Sequence, residues 1–480
     1  MKLRNSTWPS NERAWERRRL AGERSGNQPA RRRRSQGASV LIIVLWIAIG
    51  LVSIALYFAH SMTFELRASD NRATGLAADQ AIEGAARYVS YALANYATNG
   101  AVPTPAQFAC EAVPVGDARF WIIGRDPSGT PSAEPYFGLI DEGSKLNLNT
   151  ANTNTLSYLP GMTLDFADAI ADWRSTNGGG VYALNYAALG YEDKNSSFET
   201  VDELRLVDGA TIDLLAGNDL NRNGVLDANE KSLNGGGTVS PGLFEYATVY
   251  TRESNFHSDG STLTNVNTAS ERTLQSLFQG AGVNNAGTLA SAVYTSMHPG
   301  GPNGRTIPCN GLLDLAVRCR NASMNTADFA KIYSDVTTST ASYLRGRVNV
   351  NTASAAVLEA LLMGLNVDQQ TATGAAQTLV TYRGQNPNNL TSVAWIIDAL
   401  GTGSAAIQAL RLGDYVTTRS FQFTADIAAV GPFGRGYRRV KFIFDTSDGT
   451  PKILYRQDLS RLGWALGEKA RETTVATATP

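Results

Sequence analysis

The longest uninterrupted apolar stretch runs from Ala38 to Ala59, about 22 residues without a charged side chain. As a helix rising about 1.5 Å per residue it spans about 33 Å, one hydrocarbon core. Beyond it the pattern turns amphipathic: Ala77, Ala81, Ala85, Tyr88, Ala92 and Tyr96 recur at steps of three and four. No proline interrupts 38–102, and Pro103 and Pro105 end the run. The pattern predicts one helix of about 60 residues, half in a membrane and half against a globular body. An anchor followed by a separate helix would break at Gly50 or Gly75. Period-two segments follow at Ala118–Gly124 and Tyr136–Ile140, which predict a hairpin. They return at Phe421–Ile427, Tyr437–Phe444 and Lys452–Tyr455, the last pair joined through Asp448-Gly449. Between them lies a repeated motif: KLNLNTA from Lys145, TNVNTA from Thr264 and RVNVNTA from Arg347. The first and third copies continue alike, through Ala167–Arg174 and Ala375–Arg383; the middle copy is looser, and 254–308 finds no place. The predicted architecture is α+β: an antiparallel sheet packed on the long helix, interrupted by a mostly α-helical insertion over 145–410. The sheet resumes over 411–467 and a loose tail follows from 468.

Charge sharpens the picture. Eleven Lys and Arg against three Glu give residues 1–37 a charge of +8 and leave −9 for the rest of a chain whose total is −1. Arginines at 31–34, in front of the apolar run, hold that end on the cytoplasmic side and export the remainder of the chain. An acidic exported chain is a poor partner for phosphates, so no nucleic acid is expected. A secretory signal has a small-residue cleavage site after its apolar core. Here the small residue, Gly37, precedes that core. No Ser/His/Asp or Cys/His set, phosphate loop or nucleotide fingerprint is present, and no enzymatic activity is expected. Three cysteines occur, at 110, 309 and 319. In an oxidising compartment Cys309 and Cys319 could bridge a short loop; otherwise all three remain thiols.

The most specific local motif is Asp219-Leu-Asn-Arg-Asn-Gly-Val-Leu-Asp-Ala-Asn-Glu230. Calcium takes six to eight oxygen ligands. Asp219, Asn221 and Asn223 present side-chain oxygens on alternate residues, Gly224 permits the turn, and Val225 offers its carbonyl. Asp227 stands at the ninth loop position and Glu230 at the twelfth, able to close the site with two oxygens. The Gly-rich stretch after it predicts an isolated structural calcium loop with no switching role.

These features together resemble the K-type minor pseudopilins of type II secretion (general secretion pathway protein K). The resemblance rests on the leader glycine, KLNLNTA, FETVDELRLV, NRNGVLDANE, VNVNTAS and ILYRQDLSRLGWAL. Most prepilin-like chains carry Glu at the fifth mature residue. Here that residue is Ile42, as is typical of the K-type. The resemblance implies a pseudopilin fold and cleavage by prepilin peptidase between Gly37 and Ala38. It implies a single pass through the inner membrane, contact with membrane lipid and the secretion platform there, and a periplasmic C-terminal domain. It places the chain at the tip of a short fibre with I- and J-type minor pseudopilins, and it implies bound calcium. The leader is longer than is usual in the family, which makes a start nearer Arg31 an alternative. The first repeat, with Leu159-Pro160-Gly161 between helices, also resembles helix-hairpin-helix units of DNA-binding competence proteins. A type IV pilus or competence subunit is therefore the alternative. Asp165 and Asp168 beside that hairpin, with no lysine, argue against phosphate binding.

Overall fold

The computed structural model describes residues 37–126, 132–177, 180–227, 230, 237, 239–301 and 304–476. It divides into two compact units, 1–67 and 68–480. The leader expected at 1–37 lies outside the described residues except for Gly37, the first residue of helix α1 (Gly37–Tyr96). In the first unit α1 exposes every described side chain. Among the described residues it is the one helix long and apolar enough to cross a membrane. There is no break at Gly50 or Gly75: α1 is helical over 60 consecutive residues. At Gly75 the missing side chain is used, because a Cβ would stand 2.9 Å from the Arg438 guanidinium.

In the second unit α1 packs on an antiparallel sheet. Its strands are β1 (Val113–Val115), β2 (Ala118–Ile123), β3 (Ile140–Asp141), β4 (Gln422–Val430), β5 (Arg438–Asp445) and β6 (Lys452–Asp458). Their order is β1-β2-β4-β5-β6, with β3 pairing the early part of β4. Strand alternation divides β4 between two cores. Phe423, Ala425, Ile427 and Ala429 face α1, meeting Ala78, Ala81, Ile82, Ala85 and Val89. The opposite parity supplies Ala428 and Val430 to a small cluster with Trp121, Ile123 and Leu466. The alanines along α1 allow helix and sheet to approach closely. The expected hairpin between 118–124 and 136–140 shrinks to a bridge, Ile123↔Phe137. Strand β3 instead pairs with β4, in the register Phe423↔Asp141. The tail expected to be loose begins with a helix, Gly467–Ala476, held by Trp464 Nε1 on the Gly467 carbonyl (2.7 Å) and by buried Ala470.

The insertion is built from three copies of one unit. Each N-x-N-T-A segment forms a two-residue strand, runs through short helices, and closes on a parallel return strand. Leu146–Asn147 pairs with Ala247–Thr248, Thr264–Asn265 with Val336–Thr337, and Val348–Asn349 with Val416–Thr417. In each, the first Asn accepts from the backbone N–H two residues on: Asn147 from Asn149, Asn265 from Asn267, Asn349 from Asn351. The second Asn reaches across to the start of a later segment, at Phe198, Cys309 and Leu390. The return-strand threonine caps the exit by accepting from the N–H two residues on, at Thr248, Thr337 and Thr417. Parallel strands need long crossovers, and the helices provide them. Residues 254–308 thus belong largely to the middle unit, which contributes helices Glu271–Gly280 and Ala286–Met297. The third unit ends at Thr417, beyond the 410 expected from the pattern.

Cys309 and Cys319 do not form the bridge that their spacing allows. All three cysteines are free and buried. Cys309 occupies the place that Phe198 and Leu390 fill in the other units, and its Sγ meets Met297 Sδ at 3.6 Å. It serves there as a packing residue. Burial pushes the Cys309 and Cys110 thiols up to about 12, and that of Cys319 up as well.

Candidate metal-binding loop and its anchorage

The loop following helix Ile212–Ala216 is an addition found in the first repeat alone, placed before the return strand. Its mouth is closed by a bridge between Gly217 and Pro241 and by reciprocal bonds of Asn218 with Ser240, at 3.1 and 2.7 Å. Gly217 sits at φ +66°, and a Cβ there would lie 2.0 Å from the Ser240 carbonyl oxygen, so no other residue fits.

Inside, Asp219 is 2% exposed. Its two oxygens accept from the N–H groups of Asn223 (3.0 Å) and Gly224 (2.8 Å). Asn221 and Asn223 each accept from the backbone two residues on, winding the chain round. Gly224 turns it back at φ +85°. The side-chain amides of Asn221 and Asn223 both point at Asp227 Oδ2. Glu230 closes the loop, its two oxygens accepting from the N–H groups of Asn221 and Asp227, each at 3.1 Å. Residues 228 and 229 lie outside the described residues. All six expected ligand residues therefore belong to one closed loop. Asp219, Asn221, Asn223 and Glu230 are buried polar side chains.

Burial pushes the Asp219 carboxyl up to about 6, against the pull of the Arg125 guanidinium and the Gly224 N–H. A carboxylate held this way is the group a cation would relieve. The donor chemistry is all oxygen, from three carboxylates, two carboxamides and the Val225 carbonyl, which suits a hard cation. Among the described residues no three His, Cys, Asp or Glu side chains form a metal-holding group by themselves. The asparagines and the backbone carbonyl must complete any site.

The loop is fastened to the sheet by residues that the motif did not reveal. Arg439 on β5 is fully buried and makes a two-pronged pair with Asp426 on β4, at 2.8 and 2.6 Å. The same guanidinium donates to the carbonyls of Asn221 and Arg222. Arg125 donates to the Arg222 carbonyl (3.2 Å) and pairs with Glu245 (2.8 Å). Asn221 Nδ2 reaches the Trp464 carbonyl at 3.0 Å. Arg222, at φ +57°, lays its guanidinium 4.0 Å from the centre of the Phe244 ring. The available signal was parity: in Arg438–Asp445, residues 439 and 441 share a face opposite the apolar Val440, Phe442 and Phe444. A cation on that face beside Asp426 implies a polar layer between sheet and insertion.

At the other candidate position, Gly37 and Ala38 form the start of α1. No acid occurs in the helix before Glu65.

No protein-family model matches the chain, and no curated protein matches it. Among solved structures it is similar to a chain of the crystal structure of the GspK-GspI-GspJ complex from the enterotoxigenic Escherichia coli Type 2 Secretion System. The two are 11% identical with a TM-score of 0.40, over 82% of this chain and 99% of that one.

Proposed function

We propose that this chain is a K-type minor pseudopilin, which starts and caps the pseudopilus of a type II secretion system from the tip. The observation that carries this is α1. It begins at Gly37, presents apolar side chains outward from Val40 to Phe64, and bears no carboxylate until Glu65. In prepilin-like fibres the acid at the fifth mature residue pairs with the terminal amine of an adjacent subunit, which relieves an otherwise costly membrane charge. A subunit with Ile42 in that place cannot be the acid-bearing partner, which suits an end position. The bulk of the three-unit insertion supports a cap, because it would obstruct a further subunit stacking above. Cleavage by prepilin peptidase between Gly37 and Ala38 removes the basic leader and leaves the apolar helix in the inner membrane, with the remainder in the periplasm. The partners are I- and J-type minor pseudopilins and the inner-membrane platform.

We further propose that the 219–230 loop holds a structural calcium ion through Asp219, Asn221, Asn223, Val225, Asp227 and Glu230. When bound, the ion supplies charge neutralisation and cross-linking of the loop. The loop's own residues close its mouth and present its backbone to Arg439. The DNA-binding alternative gains nothing from the geometry, since Asp165 and Asp168 are exposed beside the Pro160-Gly161 hairpin.

The test is co-purification of the detergent-solubilised chain with I- and J-type partners at micromolar concentration. A stable three-component complex is expected. Recovery of this chain alone would overturn the assignment.

A further inference from the structure

One helix of the first repeat is unusual in what it exposes. Helix α2 (Thr153–Ser157) and helix α3 (Leu164–Trp173) pack into the insertion core, but helix α4 (Ala183–Leu189) buries only Tyr186. Val181 is 89% and Leu184 82% exposed; Leu189, and Leu164 at the start of α3, are exposed too. The starts of the two helices are joined, Tyr182 Oη donating to the Asp165 carbonyl at 3.0 Å. Leu184 and Ala188 fall at i and i+4 on the exposed side of the helix, and Val181 is exposed in the turn just before it.

The surroundings are strongly acidic. Residues 152–215 contain ten Asp and Glu against three Lys and Arg. All three cations are engaged elsewhere: Arg174 on the carbonyls of Leu148 and Ala151, Lys194 with Glu199 and Glu203, Arg205 with Asp202. Asp165, Asp168, Asp208 and Asp172 all act on Tyr182, at the edge of this apolar patch, and burial and these charges together push its phenol up. An apolar patch inside a negative rim repels phosphate and anionic lipid, and attracts a surface that is apolar and cationic together. An exposed apolar helix face matches a second helix laid across it.

We propose that α4 and the start of α3 form a docking surface for a cationic amphipathic helix of a protein partner. This surface uses no residue of the apolar helix or of the 219–230 loop, so its failure would leave the pseudopilin reading untouched. The probe is a fluorescent 18-residue Leu/Lys peptide with leucines at three- and four-residue spacing. Its binding to the full chain in phosphatidylcholine nanodiscs is followed by anisotropy at low and high salt. Saturable binding weakened by salt is expected, with a scrambled Leu/Lys peptide and a Leu/Glu helix failing to bind. Val181→Asp with Leu184→Asp should weaken binding at least about tenfold by removing two apolar contacts, with an unchanged melting temperature because both sites are exposed. Leu454→Asp, on the sheet edge, should have no effect. Absence of binding, equal binding of the scrambled peptide, or indifference to the double substitution would overturn the proposal. So would a Leu184-dependent self-association in sedimentation, or Leu184-dependent binding to phosphatidylglycerol vesicles.

Discussion

Replacing Arg439 with Met tests how the insertion is joined to the sheet. The guanidinium has no solvent exposure, pairs with Asp426 through two bonds, and holds two carbonyls of the loop. Methionine preserves most of the volume but leaves Asp426, itself 5% exposed, without its counter-charge. Removing one partner of such a buried pair costs about 3–5 kcal/mol. In a unit this large that corresponds to a loss of roughly 3–6 °C in melting temperature, at an unfolding entropy of about 2.1 cal/mol/K per residue. Asp426→Leu on top of Arg439→Met removes the orphaned charge and should recover part of the loss, because the pair itself stabilises little beyond an apolar replacement. The part not recovered belongs to the Asn221 carbonyl, about 1–3 kcal/mol for an unsatisfied buried acceptor, since the Arg222 carbonyl keeps its bond from Arg125. Circular dichroism melts of the four proteins in the cycle give these quantities. An Arg439→Met melt that coincides with the parent, or a double variant no more stable than the single one, would refute this picture of the junction.

Three further outcomes concern the 219–230 loop, a buried carboxyl and the thiols. Chelation of calcium should lower the melting temperature of the parent, and Asp219→Ala should erase the difference between chelated and calcium-replete samples; identical melts of the parent with and without chelator would reject the ion. Burial raises the Asp141 carboxyl above the ordinary range, although Ser420, Thr352, the Gly143 N–H and Asn349 pull it down. A folded state that binds the proton more tightly draws full stability from it below the unfolded pKa and loses it as pH rises through the folded one. Chelated protein should therefore show a component of stability that declines above about pH 4, and Asp141→Asn should flatten it; equal slopes in the two proteins would contradict the assignment. A thiol reagent should find no reactive cysteine in the native chain and three after denaturation without reductant, since all three are buried and free; recovery of only one would show that Cys309 and Cys319 are bridged.

How much of the fold and of the loop was legible in the chain varied with the physics that fixes each element. The long helix was readable because its two halves carry unambiguous patterns, one continuous apolar run and one three-four periodicity ending at Pro103. The late strands were readable because β4 and β5 alternate cleanly over many residues. Strand β3 was misplaced because two residues carry almost no pattern, and its pairing with β4 is decided across the whole insertion. The middle repeat was obscured because its recognisable core is short. What it shares with its neighbours is hydrogen bonding by Asn265, Asn267 and Thr337, and the role of Asn267 depends on partners 42 and 71 residues away. Cys309 looked like half of a bridge on spacing alone, and only its equivalence to Phe198 and Leu390 shows it as core. The 219–230 loop could be read residue by residue because the residues that close it on itself are local in sequence. Arg439, which anchors that loop from 218 residues away, could not.

The central claim, that the apolar helix is freed of its basic leader and lacks an acid near its new amine, is tested most directly by intact mass spectrometry of protein from the membrane of its native host. Processing as proposed gives a chain beginning at Ala38, with no species retaining the arginines at 31–34. A mass that includes the leader, or one that begins beyond residue 59, would contradict it.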